Sequence, residues 1–337
     1  MIYINYIACN LKCQEQILKK YNIIVNMKNY IVFDLEWNQG DAPVTENDKT
    51  LNFEIVEIGA VKLNENKEKT GEFSRLIKPQ VYKQMHRITG KLIHLTMEDL
   101  ESGGSFQEVA KEFLDWCGED AVFCSWGPLD LTEFQRNLDF FGMPLLSDRP
   151  IAFYDVQKLY SLAFDDGKSR KALSTVVDEM NLEKDIPFHR ALADAEYTAR
   201  IFKKLGDKVL QKVSFDTYVT PKTRKQEIKI TFDDYFKYIS REFDTKEDIL
   251  ENIEIMSTKC YLCHRNIRRK VKWFSPNSKH YYSVAYCELH GFMKSKVRIK
   301  KAENGRLFVV KTCKFIQPED VEAMKIKQRK VKKRQNE

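Results

Sequence analysis

Apolar residues recur along this chain with two different periods, and the period changes with position. From Lys28 to about Gly206, runs rich in Val, Ile, Phe and Tyr predict strands at 29–37, 54–63, 71–77, 121–125 and 151–155. Apolar positions three and four apart predict helices at 105–117, 128–140, 170–180 and 190–204. The early strands follow one another through short connections, which predicts antiparallel neighbours. The later ones are separated by helices, which predicts parallel ones. Together they describe an α/β domain with a mixed sheet flanked by helices.

The rest of the chain reads differently. Residues 1–27 are rich in Ile, Tyr, Asn and Lys and fit neither half. Because Met27 stands directly before the strong strand Tyr30-Ile-Val-Phe-Asp-Leu-Glu-Trp37, the folded domain is expected to begin near Met27, after an N-terminal extension. Residues 207–258 read as a helical connector. Thr231 and Asp234 mark a helix start, with Phe232, Tyr235, Phe236, Ile239 and Phe243 on one face, and Thr245 and Asp248 repeat the signature. Residues 259–337 read as a small basic module whose 325–334 run is a disordered tail.

Composition narrows the class. The 337 residues are 43% hydrophobic and 31% charged, a globular balance too apolar for a disordered chain. No apolar run approaches the ~18 residues of a membrane span. The N-terminus does not read as a signal peptide, since no Lys or Arg precedes its first apolar stretch. Charge is uneven. Residues 260–337 hold 21 Lys/Arg against 6 Asp/Glu, a balance of +15, whereas the preceding 259 hold 35 against 43, a balance of −8. A basic end on a mildly acidic body is the footprint of a polyanion partner, nucleic acid above all.

Asp34 and Glu36 are two apart in a strand, so both project from one face while Phe33 and Leu35 enter the core. Two adjacent carboxylates repel and need a compensating cation. Asp130 follows the strand Ala121–Ser125 through Trp126-Gly127-Pro128, which puts it in the first turn of a helix. The run His189-Arg-Ala-Leu-Ala-Asp194 follows Pro187. Its histidine and aspartate converge most easily if His189 precedes the helix, because five residues turn ~140°. Each element alone has an ordinary structural explanation.

In this order, Asp34-x-Glu36, Asp130 at a helix start and His189-x4-Asp194 resemble the DEDDh family of 3′–5′ exonucleases over residues 28–206. Glu57-Ile-Gly-Ala-Val61 falls in the matching place. Trp126-Gly-x-x-Asp130 and Tyr154-Asp155-Val-Gln157 look most like the subgroup of bacterial sporulation-inhibitor nucleases and the eukaryotic histone-mRNA exonuclease. The resemblance implies an RNase H-like fold and two Mg²⁺ or Mn²⁺ ions, hard cations suited to carboxylate oxygens. It implies that Asp34, Glu36 and Asp194 hold one ion and that Asp34 and Asp130 support the second. His189 would be the general base, a role open also to His86 and His94, which read otherwise as surface or packing residues. Asp155 reads as a structural hydrogen-bonding residue, and Trp37 and Trp126 as packing residues or base-stacking ones.

Cys260-x-x-Cys263 and Cys287-x-x-His290 have the half-motif spacing of a structural zinc site, here of a zinc-ribbon-like domain, with His264 as an alternative ligand. Metal spacing in place of disulfide spacing points to a reducing cytoplasm. Cys9, Cys13, Cys117, Cys124 and Cys313 read as buried or incidental thiols. Arg268, Arg269, Lys270, Lys272, Lys296, Arg298, Lys300 and Lys301, interleaved with Trp273, Tyr281 and Tyr282, are candidates for binding a single-stranded nucleic acid. The aromatics serve equally as the core of a small domain. The expected activity is hydrolysis at single-stranded 3′ ends, with RNA ahead of DNA. The alternative is a non-catalytic regulator on the same fold.

Overall fold

The computed structural model describes residues 29–93 and 95–336. The expectations for the N-terminal extension, Cys9, Cys13 and His94 lie outside the described residues. The described residues divide into two compact units, with the boundary between Asp216 and Thr217.

The first unit is built on a six-stranded sheet. Its strands are β1 (Asn29–Asn38), β4 (Glu54–Asn64), β5 (Lys69–Leu76), β6 (Ala121–Ser125), β7 (Ile151–Asp155) and β8 (Ser214–Asp216), in the order β5-β4-β1-β6-β7-β8. β5, β4 and β1 are antiparallel, whereas β1, β6 and β7 are parallel. That is the mixed sheet, antiparallel early and parallel late, expected from the sequence. A small hairpin, β2 (Val44–Glu46) with β3 (Lys49–Leu51), stands apart from it. The helices are α1 (Arg87–Leu92), α2 (Met97–Leu100), α3 (Phe106–Cys117), α4 (Leu129–Phe140), α5 (Val156–Phe164), α6 (Leu173–Glu179), α7 (Ala191–Lys203) and α8 (Asp207–Leu210). Ser105 and Glu108 close a capping box on α3, whose buried face carries Phe106, Val109, Ala110 and Phe113. That face packs with Phe33, Leu35, Phe123 and Phe134 in one core. Helix α5, which the sequence reading omitted, begins without any Gly or Pro break, because Asp155 both ends β7 and caps the helix at Lys158 N–H.

The second unit is a six-stranded antiparallel sheet, not a helical connector followed by a small module. β9 (Ile228–Thr231), β10 (Tyr235–Ile239), β11 (Arg268–Phe274), β12 (His280–Cys287), β13 (Gly291–Lys301) and β14 (Leu307–Ile316) run in the order β11-β12-β13-β14-β10-β9. The first expected connector helix is thus a hairpin. Phe232 N–H bonds Tyr235 C=O across a tight turn, and Tyr235–Ile239 pairs with both β14 and β9. Aromatic and β-branched side chains on both faces of that segment favour the sheet over the helical stripe. The second signature is a true helix cap: Thr245 and Asp248 close a capping box on α9 (Lys246–Glu251), which α10 (Ile253–Met256) follows. One face of the sheet packs Tyr281, Val297 and Val309 against Ile249 and Ile255.

The expected disordered tail is a helix, α11 (Pro318–Asn336). Val321 and Met324 bury against Val271, Phe274 and Val284, with Val331 packed alongside, and Gln328 donates to Lys272 C=O at 2.8 Å. Apolar residues at these helical spacings anchor a segment whose composition is otherwise basic.

Candidate functional site

Asp34 and Glu36 lie on the face of β1 opposite the Phe33–Leu35 core, and α7 crosses that face. A glycine decides how closely. Gly59 pairs with Asp34 across β4, and a Cβ there would stand 2.0 Å from Leu192 N and 2.1 Å from the Ala191 carbonyl carbon. Only a residue without a side chain lets the start of α7 press onto the sheet. The approach brings Asp194 to the strand carboxylates, and one oxygen each of Asp34, Glu36 and Asp194 lie within 4.8 Å of one another.

His189 sits just before α7, as expected from Pro187, with a left-handed backbone (φ 66°). The side chain is exposed, and the backbone N–H donates to the Asp194 carboxylate. Asp130 occupies the first turn of α4 and is buried, outside the triangle of the other three carboxylates. Gly127 (φ 103°) turns the chain between β6 and α4, and Ser125 Oγ donates to Gly127 C=O across that turn.

Two residues absent from the expected site hold it together. Glu57 is directly opposite Glu36 in the β1–β4 register. Its carboxylate accepts from Arg190 Nε at 3.1 Å and Nη2 at 2.9 Å, and from Ala191 N–H at 3.3 Å. Glu57 thus clamps the residue after His189 and the first residue of α7. The signal was in the sequence, since Glu57 and Arg190 both lie within the motifs, but their pairing is a long-range contact.

The electrostatics are those of anions awaiting a cation. Burial pushes Asp34 well above the usual carboxylate range, and Asp130, Glu36 and Asp194 push it further. Glu36 rises to about 8 through burial and then Asp194, with Arg190 opposing. Asp130 rises to about 7 through burial, although backbone N–H groups of Asp130 and Leu35 favour its charged form. Burial raises Asp194 as well, against His189. Asp194 Oδ1 is buried with no hydrogen-bond partner. An orphaned buried oxygen beside two more carboxylates is a donor set for a hard divalent cation.

These shifts give the metal-free protein a definite pH dependence. A carboxyl whose folded pKa exceeds its unfolded one binds more protons when folded. Its stabilising contribution is complete below about pH 4 and is lost as pH rises through the folded value. For Glu36 that loss runs up to about pH 8. Glu36→Gln should therefore gain in melting temperature over wild type as pH rises from 5 to 8 without metal, and added Mg²⁺ should shrink the gap. A gap independent of pH would contradict the shift.

The other candidates have structural tasks. His86 caps α1, accepting from Ile88 N–H, and its Nδ1 lies 3.1 Å from Gln39 Nε2. Trp126 Nε1 donates to Lys171 C=O, and Trp37 packs on Phe53. Cys117, Cys124 and Cys313 are buried free thiols.

In the second unit Cys260, Cys263, Cys287 and His290 form one cluster. Cys260 Sγ and Cys287 Sγ each lie 3.5 Å from His290 Nδ1, and Cys263 Sγ lies 3.7 Å from Cys287 Sγ. A tetrahedron with Zn–S bonds of about 2.3 Å has edges of about 3.8 Å, so the donors fit zinc. His264 is outside the cluster; it has a left-handed backbone, and its N–H bonds Cys260 C=O to close the knuckle.

The eight basic candidates do not form one patch. Arg268, Arg269, Lys270 and Lys272 are exposed on the edge strand β11. Lys300 donates to Thr217 Oγ1, and Lys301 is on the opposite face of β13 from Lys296 and Arg298. Trp273 donates to Met256 C=O and Tyr281 is buried, so these two aromatics serve the core.

Comparison with known proteins bears on the first unit. The family profile described as "Exonuclease" matches residues 31–202. The PolC-type DNA polymerase III of Thermotoga maritima is 28% identical over 211 residues, 60% of this chain and 13% of the polymerase. The 3′-5′ exoribonuclease 1 of Rattus norvegicus is 23% identical over 202 residues, 56% of each chain. The chain thus spans little more than half of one such relative and about an eighth of the other. Among solved structures, the nuclease domain of 3′hExo, described as a DEDDh family member bound to rAMP, aligns at 19% identity with a TM-score of 0.45. That alignment covers 56% of this chain and 96% of the other. The profile match runs from the third residue of β1 to the last turn of α7, taking in every carboxylate that converges at the sheet, and this chain belongs to the exonuclease family.

Proposed function

We propose that the first unit hydrolyses phosphodiester bonds one nucleotide at a time from the 3′ end of a single strand, with RNA preferred over DNA. The observation that carries this reading is the convergence of Asp34, Glu36 and Asp194 around the unpartnered Asp194 oxygen. Asp34, Glu36 and Asp194 would hold one divalent ion, and Asp34 with Asp130 a second. Such ions, when bound, neutralise the phosphodiester and acidify the attacking water.

The chain's own groups do the rest. His189 stands exposed beside Asp194, where an imidazole nitrogen takes the proton of the attacking water. Glu57 and Arg190 fix the backbone on which His189 is carried. The backbone N–H of Leu35 holds Asp130. In the second unit Cys260, Cys263, Cys287 and His290 would bind one structural zinc, and the basic surface would hold the strand.

His189→Asn tests the base. Asparagine tolerates the left-handed backbone but takes no proton at neutral pH. The substitution should lower kcat by about 10²–10⁴-fold. The stabilisation of the folded protein by Mn²⁺ should be unchanged. An unaltered kcat would take the role from His189. Parallel digestion of RNA and DNA single strands of one sequence tests the preference, with faster loss of the RNA expected.

A further inference from the structure

The second unit has a cluster of charge that its fold does not explain. On one face of β13, Lys294, Lys296 and Arg298 stand at alternate positions. Lys314 on β14 lies directly across from Lys294. Tyr282 on β12 lies directly across from Lys296. Helix α11 adds Lys327, whose Nζ is 4.5 Å from the centre of the Tyr282 ring, with Lys294 Nζ at 5.8 Å from the same ring. Arg298, Lys314 and Lys327 are exposed, and Lys294 and Lys296 are half-buried.

Several other cations of this unit have acids. Lys222 and Arg306 pair with Glu242, Arg241 with Glu227, and Lys229 with Glu254. Lys294, Lys296, Arg298, Lys314 and Lys327 form no ion pair among the described residues. They mostly feel one another: burial lowers the Lys294 and Lys296 ammonium groups, Lys314 and Lys327 lower Lys294 further against Asp320 of α11, and Arg298 and Lys327 lower Lys296 further. Gathering like charges on one surface opposes folding, and an external polyanion relieves that cost. Alternate positions on a strand are about 6.8 Å apart, comparable to the phosphate-to-phosphate step of an extended nucleic-acid strand.

We propose that this face, Lys294, Lys296, Arg298 and Lys314 with Lys327 from α11, binds the phosphate backbone of a single-stranded nucleic acid. The proposal rests on the exonuclease reading above. It differs from the sequence expectation in its members. Beside Lys296 and Arg298 of the eight candidates stand Lys294, Lys314 and Lys327, the exposed edge of β11 is not part of it, and Lys300 and Lys301 are not needed.

The test uses the full chain with Lys294, Lys296, Arg298 and Lys314 all changed to Gln. Binding of fluorescent 24-nucleotide RNA and DNA single strands is followed in EDTA from 50 to 300 mM salt. A control variant carries Gln at the exposed Lys203, Lys204, Lys208 and Lys225, removing the same charge. Each phosphate contact contributes about 0.7 to the slope of log K against log[salt]. The cluster variant should lose a slope of about 2–3 and at least tenfold in affinity on both strands, with the control near wild type. Equal slopes in wild type and cluster variant, or an equal loss in the control, would overturn the proposal. Hydrolysis of a trinucleotide separates the two readings: it should match wild type in the cluster variant. Its absence from wild type would count against the exonuclease reading.

Discussion

Asp34→Asn is expected to abolish hydrolysis while making the metal-free protein more stable. A structural acid would lose stability on the same change, so the opposite signs are the diagnostic. Asp34 is flanked by Glu36, Asp130, Asp194 and Glu57, every one of which raises its pKa beyond the effect of burial. Replacing it by a neutral residue of the same shape removes repulsion from all of them. Metal charge supplies several kcal/mol of transition-state stabilisation, so loss of a ligand shared by both proposed ions should cost on the order of 10³-fold or more in rate. Melting curves with and without Mg²⁺, beside single-turnover rates, read both effects. A variant that is slower and also less stable without metal would make Asp34 a structural acid.

The second large effect is expected from Cys287→Ser. Cys287 Sγ lies 3.7 Å from Cys263 Sγ and 3.5 Å from His290 Nδ1, so it is joined to both halves of the cluster. Apparent zinc-binding energies in small zinc domains are about 10–16 kcal/mol, while a whole domain is stable by only about 5–15 kcal/mol. The variant should fall from about one zinc per chain to none, as expected when a structural site loses a ligand. Its second unit should become sensitive to protease around residues 258–292. Cys313→Ser, at a buried thiol outside the cluster, should keep its zinc. Elemental analysis finding no zinc in wild-type protein purified without chelator would remove the metal from the account.

How much was legible depended on how local the signal was. Five strands of the first sheet and helices α3, α4 and α7 were readable because each carries its own period and, at α3, its own cap, whereas the three-residue β8 fell within the expected connector. The two Thr-x-x-Asp signatures show the limit. Thr245–Asp248 caps a helix, whereas Thr231–Asp234 spans a hairpin turn, and the four residues alone do not distinguish them. The difference comes from β14, far along the chain, which recruits Tyr235–Ile239 into a sheet. Helix α11 was missed for the reverse reason. Three apolar anchors, Val321, Met324 and Val331, are enough for docking but are outvoted in composition by the basic residues between them.

The site followed the same rule. Asp34, Glu36, Asp130, His189 and Asp194 were named from residue type and order. Their supports were not, because the Glu57–Arg190 clamp joins residues 133 apart and Gly59 matters only where α7 crosses β4. The spread of the basic residues over two faces and an edge depended on register, which single-residue slips would reverse.

The most direct test of the central claim is the product series from a 5′-labelled 24-nucleotide RNA strand incubated with the purified protein and Mg²⁺ or Mn²⁺. The account predicts labelled products that shorten one nucleotide at a time from the full length, with none formed when Asp194 is replaced by Asn. Labelled mononucleotide as the first product, scattered internal fragments, or a ladder that persists in Asp194→Asn would contradict it.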